Sequence, residues 1–470
     1  MSLKITISGI RGIIGETPGL NPQVVVNYTA AYCHWLKSNP NTVHPTIYVG
    51  FDGRKTGPMY SQLVQQTIIS MGFDVCNLGL TTTPTIAYTV LKNKGLAAII
   101  ITASHNPQEW NALKLLNHAG EFIAEDTVQE LKKFVETNQT FSFVAYNKLG
   151  QIKEDFSAIQ QHILGIVQLQ AVNINKIRQR KFKIIVDVIN SSGAIAVPKL
   201  LEALGVQHFD ILNAEIKGVF NHDPEPTEKN LTALIETLKT GKYDVGIAVD
   251  PDVDRICFVQ EDGSFFGEEY SLVAIADYYL NFVKGPVVNN LSSTMALHDI
   301  ANQHKVAYHS SAVGERWVVQ KMKETNSPIG GEGNGGIIVS ELHYGRDALV
   351  GIALFLSYLA SENVSCSDLR NKFPKYPMTK TKIKLTNMSK NFQLKDAISF
   401  FKNLPDLIDI NDLDGLKLFF KNGWVHIRES NTEPILRIIS EAKDQEFLSN
   451  YISQVSTIFN NFNQLTYEPS

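Results

Sequence analysis

The chain reads as a multidomain α/β protein: three similar units with mixed, mainly parallel sheets, then a C-terminal α+β domain with an antiparallel sheet. Three observations carry this. Its 470 residues exceed one ordinary core. Short β-branched runs alternate with helix-length amphipathic segments, the pattern of sheets flanked by helices. Three successive units, each roughly a hundred residues, place a polar loop directly after a strand, without the strict short period of a solenoid. The expected divisions are 1–148, 149–262, 263–370 and 371–470.

In chain order, Asn21 to Leu36 and Ser61 to Met71 carry helical periodicity, and Ile47–Gly50 and Ala97–Ile101 read as buried strands. Phe182–Val188 is the next strand, followed by a helix over Ala194–Leu204, a helix over Leu231–Thr240 and a strand over Asp244–Val249. Pro286–Asn289 begins the third set, and Ser327-Pro328-Ile329 leads into a glycine-rich loop. From about Tyr376 the pattern changes to a helix (Gln393–Asn403), two strands (Leu416–Phe420, Trp424–Arg428) and a final helix near Asp444–Phe459. In parallel sheets ligands gather beyond the carboxyl ends of strands, so the strand-end loops are where chemistry is sought.

Composition narrows the class. The chain is 44% hydrophobic and 19% charged, with a formal net charge of −4. It lacks the basic stripe of a nucleic-acid binder, so an anionic ligand must be held by local cations. No apolar run reaches the ~18 residues of a membrane span, and the N-terminus has no signal-peptide core. Cys33, Cys76, Cys257 and Cys366 form no CxxC pair, which fits reduced thiols and a cytoplasmic location.

Four strand-end motifs stand out. Asp250-x-Asp252-x-Asp254 sets three carboxylates at alternate positions, oxygen ligands suited to Mg²⁺; Arg255 stands where an EF-hand loop needs glycine. A solvated acidic loop is the bland alternative. Ser104 in Ala103-Ser104-His105-Asn106-Pro107 is no G-x-S-x-G elbow, and with Lys114 ten residues on it suits a phosphoryl acceptor, against the plainer reading of a helix start. Gly331-Glu332-Gly333-Asn334-Gly335-Gly336 offers a carboxylate and an amide for sugar hydroxyls, or is a simple turn; it matches neither a Walker A nor a dinucleotide fingerprint. Arg428-Glu429-Ser430-Asn431-Thr432-Glu433-Pro434, with Arg437 beyond, is either a phosphate cradle or a polar turn.

Taken together and in this order, the motifs resemble those of the α-D-phosphohexomutase superfamily over essentially the whole length, and the archaeal-type phosphoglucosamine mutases most. Ser8-Gly9-Ile10-Arg11-Gly12 matches the early Arg-Gly segment, Asn111 and Lys114 the turn after the serine loop, and Asn221-His222-Asp223-Pro224 an Asn-His-x-Pro segment. The resemblance implies four domains around a central cleft. It implies a phosphoserine at Ser104, which joins Asp250, Asp252 and Asp254 around Mg²⁺, and catalytic roles for Arg11, His105, Lys114 and Arg255. It further implies sugar contacts from Glu332 and Asn334, and a distal-phosphate clamp of Arg428, Ser430, Asn431 and Thr432 with Arg437. The expected reaction interconverts hexose 6-phosphate and hexose 1-phosphate through a 1,6-bisphosphate, which also serves as activator. The double-glycine sugar loop favours glucosamine 6-phosphate, with phosphomannomutase or phosphoglucomutase activity as the alternative. A small phosphosugar is the expected partner, and monomer and homodimer both stay open.

The pattern departs from the family at two places. Many bacterial relatives end the sugar loop on a histidine, a proposed proton shuttle, where this chain has Gly336; His343, seven residues on, is the nearest substitute. A lysine common before the Val313-Gly314 segment is Ala312 here. Two rival classes compete with this reading: an aspartyl-phosphate phosphatase, which leaves Ser104 and the C-terminal loop without roles, and a sugar-phosphate binding protein that has lost its chemistry.

Overall fold

The computed structural model describes residues 2–39, 44–137, 139–384, 394–429 and 435–465. The first sheet holds β1 (Lys4–Thr6), β2 (Gly9–Ile13), β3 (His44–Phe51), β4 (Asp74–Leu80), β5 (Gly95–Ile101), β6 (Trp110–Leu116) and β7 (Ile152–Glu154), in the order β1-β2-β6-β5-β3-β4-β7. The second holds β8 (Lys183–Asp187), β9 (His208–Leu212), β10 (Val245–Val249) and β11 (Ile256–Gln260), ordered β11-β10-β8-β9. The third holds β12 (Val287–Asn290), β13 (Tyr308–Ser311), β14 (Ile329–Glu332) and β15 (Gly336–Val339), ordered β13-β12-β14-β15. The fourth, ordered β16-β20-β19-β18-β17, is antiparallel throughout: β16 (Met378–Lys384), β17 (Leu407–Asn411), β18 (Leu416–Phe420), β19 (Gly423–Glu429) and β20 (Ile435–Ala442).

Each of the first three sheets has a parallel centre and a strand that turns back beside it; in the first sheet β2 and β1 continue that edge antiparallel. β5 returns as β6, β10 as β11 and β14 as β15, all antiparallel. The serine, aspartate and sugar loops are therefore each the connection of a β-hairpin, and β19 and β20, which flank residues 430–434, are likewise antiparallel neighbours. The return strands are absent from the sequence reading because they start in motif residues: Asn111 and Lys114, expected on a turn, lie within β6. All seven residues of β5 are buried, which is why an unbroken apolar run reads so clearly as a central strand.

Helix boundaries follow local capping. The helix Pro22–Ser38 starts where the Asn21 side chain accepts the Val24 N–H and Pro22 takes the first turn. The helix Ala348–Glu362 is apolar almost all round and buried over Ala348–Ala360; it packs on the helices Ala158–Val167 and Ile174–Arg180. The second and third units consequently share one hydrophobic core, whereas the first and the C-terminal units have their own. β7 extends the first sheet past the expected division at 148, pairing with β4. The helix expected over Gln393–Asn403 is a 3₁₀ turn, Leu394–Ala397, and one helical turn, Ile398–Phe401. Phe400 is exposed there, so the segment has too narrow an apolar face to propagate.

The C-terminal domain docks on the third unit through buried polar groups. The Glu441 carboxylate accepts the Met295 N–H at 2.7 Å and the Trp424 indole N–H at 3.0 Å, and Lys417 lies 4.0 Å from the Trp424 ring centre. Beside them Glu269 accepts the Thr294 N–H. Burial pushes Glu269 up to about 8 and Lys417 down to about 7.

Candidate active site

Ser104 is buried in the loop between β5 and β6, with φ of 50°, a left-handed backbone unusual for serine. Arg54 holds it there. That guanidinium is itself buried and spends its donors on Asp52 (3.1 Å) and on the carbonyls of Ser104 (2.6 Å), Asn106 (2.7 Å), Pro107 (2.6 Å) and Trp110 (2.9 Å). Thr102 donates to Asp52 and accepts the Ser104 N–H. The loop is thus cast around one side chain, and Ser104 Oγ emerges 2.8 Å from Asp250 Oδ2.

The loop from Asp250 to Arg255 crosses from β10 to β11, and Val253 within it also has a positive φ, 61°. Strain in both facing loops, about 1–3 kcal/mol at each residue, is the kind that persists at functional sites. Asp250, Asp252 and Asp254 are buried with their ligand atoms within 4.8 Å of one another. Lys114 Nζ lies 2.6 Å from Asp252 and 3.5 Å from Asp254, and Thr83 donates to Asp252 at 2.6 Å. Burial, then Asp254 and Asp252, push Asp250 well above the carboxylate range. For Asp252 burial acts upward too, but Lys114 and Thr83 outweigh it and hold the group below that range. Asp252 Oδ1 and Asp254 Oδ1 are buried without a hydrogen-bond partner. Two orphaned carboxylate oxygens in such a cluster fit a hard divalent cation.

On the far wall Glu332 ends β14, and the carbonyl of Gly335, at φ 85°, accepts the Ile256 N–H; a side chain there would collide with Ile256. The sugar loop is thereby pinned to β11. Arg346 joins the walls: its guanidinium contacts Asp254 at 2.7 Å, Glu332 at 2.8 Å and Glu315 at 3.0 Å. Glu332 also accepts from Asn290 and the Gly314 N–H. Asn334 accepts the Gly336 N–H.

These walls enclose a cavity of about 710 Å³. It brings together Ser104, His105, Lys114, Arg11 and Arg255 with Glu332, Asn334, Arg428 and Arg437. Arg11 is fastened to the Asn106 side chain. Arg255 meets Glu225 at 3.3 Å. Burial, then Arg255 and Arg11, hold His105 well below the usual imidazole range. Arg428 and Arg437 are direct cross-strand partners, and Asp414 holds the Arg428 Nε at 3.1 Å. Ser430, Asn431 and Thr432 lie outside the described residues. His343 is no substitute for the missing histidine at 336. It is buried outside the cleft lining, turned to Asp347 (3.3 Å) and stacked edge-on to His162, because Asp347 caps the following helix and draws both rings inward. Sequence reasoning missed Arg54, Glu315 and Arg346. Asp52-Gly53-Arg54 stands at a strand end and was open to discovery; Arg346 carries no local signal.

Among the described residues no helix is long and apolar enough to cross a membrane. Four phosphoglucomutase/phosphomannomutase domain models match in order: alpha/beta/alpha domain I over residues 3–141, domain II over 160–263, domain III over 268–376 and the C-terminal domain over 381–457. A Sulfurisphaera tokodaii protein named phosphoglucosamine/phosphogalactosamine mutase is 30% identical, over 96% of this chain and 97% of its own. A Thermococcus kodakarensis protein named phosphoglucomutase/phosphomannomutase is 31% identical, over 94% of this chain and 95% of its own. Among solved structures, a phosphoglucomutase/phosphomannomutase family protein from Burkholderia thailandensis has a TM-score of 0.85 at 24% identity, over 97% of both chains.

Proposed function

The chain belongs to the phosphoglucomutase/phosphomannomutase family, and from that premise we propose that it converts glucosamine 6-phosphate to glucosamine 1-phosphate through a phosphoserine at Ser104. Membership makes it a phosphohexomutase, an intramolecular phosphotransferase. The observation that carries the serine's role is its buried Oγ, 2.8 Å from Asp250 at the floor of the cleft, with Lys114 behind and Arg11 and Arg255 alongside. Such a set lacks a triad base and suits phosphoryl transfer, where positioning and charge neutralisation dominate.

In the first step the Oγ–P bond of phosphorylated Ser104 breaks as a sugar oxygen bonds to phosphorus, and the sugar hydroxyl's proton is left for the serine oxygen. The 1,6-bisphosphate then turns around, and a second transfer returns its other phosphate to Ser104. Trace hexose 1,6-bisphosphate loads the serine and so activates the enzyme. Asp250, Asp252 and Asp254, with the serine oxygen, would hold Mg²⁺, which when bound draws charge from the phosphoryl oxygens. Arg11, Lys114 and Arg255 stabilise charge on the moving group. His105 handles the proton once a bound phosphate offsets Arg11 and Arg255. Glu332 and Asn334 meet sugar hydroxyls. Arg428 and Arg437, two guanidinium groups paired across strands, repel one another until an anion lies between them. With Ser430, Asn431 and Thr432 they clamp the phosphate that is not reacting, so either end of the sugar can face the same serine.

The name of the Sulfurisphaera relative supports the amino sugar, and that of the Thermococcus relative supports a phosphomannomutase/phosphoglucomutase reading. Four free cysteines support a cytoplasmic location. Initial rates on glucosamine 6-phosphate, mannose 1-phosphate and glucose 1-phosphate, with Mg²⁺ and the matching bisphosphate, separate the readings. A kcat/KM led by the amino sugar upholds the proposal. A lead for mannose or glucose phosphate transfers the assignment to the second reading.

A further inference from the structure

The backbone of Gly336 has an ordinary φ, so no turn requires glycine there. Something else fills the space: a Cβ on Gly336 would run into the aliphatic stem of Arg346. The stem lies along the sugar loop, and its head reaches three carboxylates from three parts of the chain. These are Asp254 of the metal loop, Glu332 at the end of β14, and Glu315, first residue of the helix Glu315–Thr325. Each guanidinium nitrogen serves a different carboxylate, at 2.7, 2.8 and 3.0 Å, and the head is 9% exposed. A planar fork with fixed directions can do this; a lysine's point charge cannot.

We propose that Arg346 is a positioning residue that couples occupancy of the Asp250–Asp252–Asp254 site to the setting of the sugar loop. The inference rests on the mutase reading above. Asp254 is the shared residue: its Oδ2 holds Arg346, and its Oδ1 is buried without a hydrogen-bond partner. A divalent cation held at the triad would draw charge from this carboxylate and weaken its hold on Arg346. The guanidinium then bears more fully on Glu332 and Glu315, which fixes the sugar loop and the start of the helix behind it. By linkage, a sugar that settles the loop must raise cation affinity by the same factor. A guanidinium carries no proton between groups, so Arg346 serves as a fixed charge that fastens two loops.

Calorimetric titration with Mg²⁺ tests this on the full chain, alone and with saturating glucosamine 6-phosphate. In wild type the sugar phosphate should tighten Mg²⁺ binding about fivefold or more. Arg346→Gln removes a competing cation from Asp254, so Mg²⁺ alone should bind about three- to tenfold more tightly while KM for the sugar rises. A residue with a merely structural role would weaken both. Glu332→Gln keeps the Arg346–Asp254 contact; it should leave Mg²⁺ affinity alone within about twofold and cut the coupling ratio to below about a third of wild type. The proposal is overturned if folded Arg346→Gln binds Mg²⁺ no better than wild type, if Glu332→Gln keeps the full ratio, or if wild type binds no Mg²⁺. Should Arg346→Gln not fold, Glu332→Gln decides. The metal-only arm needs no sugar, so a wrong sugar assignment shows in the rate panel and leaves this arm readable.

Discussion

At the Ser104 end of the cleft the groups that shape the loop are buried and paired, while at the C-terminal end the clamp arginines meet solvent. Arg54 and Asp52 are fully shielded, whereas the Arg428 side chain is 31% exposed and Arg437 is exposed outright. On the proposed mechanism one end presents a single oxygen to phosphorus in one geometry, and the other accepts whichever phosphate is idle, first on one carbon and then on another. Rigidity would then be concentrated where bonds change and withheld where the ligand turns.

The contrast can be broken at graded depths. Ser104→Ala should lower mutase turnover by at least about a thousandfold and abolish acid-stable label on the protein after incubation with labelled bisphosphate; retained turnover would remove the serine from the chemistry. Arg54→Lys keeps the charge but cannot serve four carbonyls. Its kcat should fall about a hundredfold, the size expected when a reacting atom is displaced by about an ångström, with KM within a few-fold. If KM bears the loss instead, the loop is not held by that fork. At the permissive end, Arg437→Ala should do the reverse: KM up about tenfold, the worth of one charge-assisted contact, with kcat nearly unchanged.

The smallest effect lies at the junction of the C-terminal domain. Glu269, raised to about 8 in the fold, keeps its proton while the unfolded chain loses it, so stability from this group is greatest below about pH 4.5 and declines as pH rises toward 8. Lys417, lowered to about 7, acts in the opposite sense: its burial cost is largest below pH 7 and fades between there and about pH 10, where the unfolded chain would shed its own proton. Glu269→Gln should therefore gain thermal stability relative to wild type as pH rises from 5 to 8. An unchanged Tm difference across that window would show that the buried carboxyl is ionised after all.

Much of this was legible because parallel strands deliver their functional residues at predictable places. The Ser104 loop and the three aspartates follow β5 and β10, and an apolar run names each strand. The C-terminal division was visible from the change of pattern near Tyr376. What stayed hidden depends on side chains that act across long separations. Arg54 serves a loop fifty residues downstream, and Arg346 reaches back to Asp254 with no neighbouring motif to mark it. His343 shows the converse error, for closeness in sequence to the sugar loop says nothing about which way a ring turns once Asp347 begins a helix. The hairpin returns went unread for local reasons: in β6 the polar Asn111 and Lys114 break the apolar run, while β11 and β15 are four- or five-residue runs directly against the motifs.

That the Ser104, aspartate and sugar loops each close a hairpin bears on how such an enzyme can diversify. Both ends of each loop are anchored in paired strands, so substitutions there can alter what is recognised without disturbing the sheet. Length is less free. One residue inserted within β6, ahead of Lys114, would turn Lys114 to the opposite face, away from Asp252. Lineages that change sugars are thus expected to exchange residues within these loops at constant length, and to place their insertions in the outer connections between helices and strands.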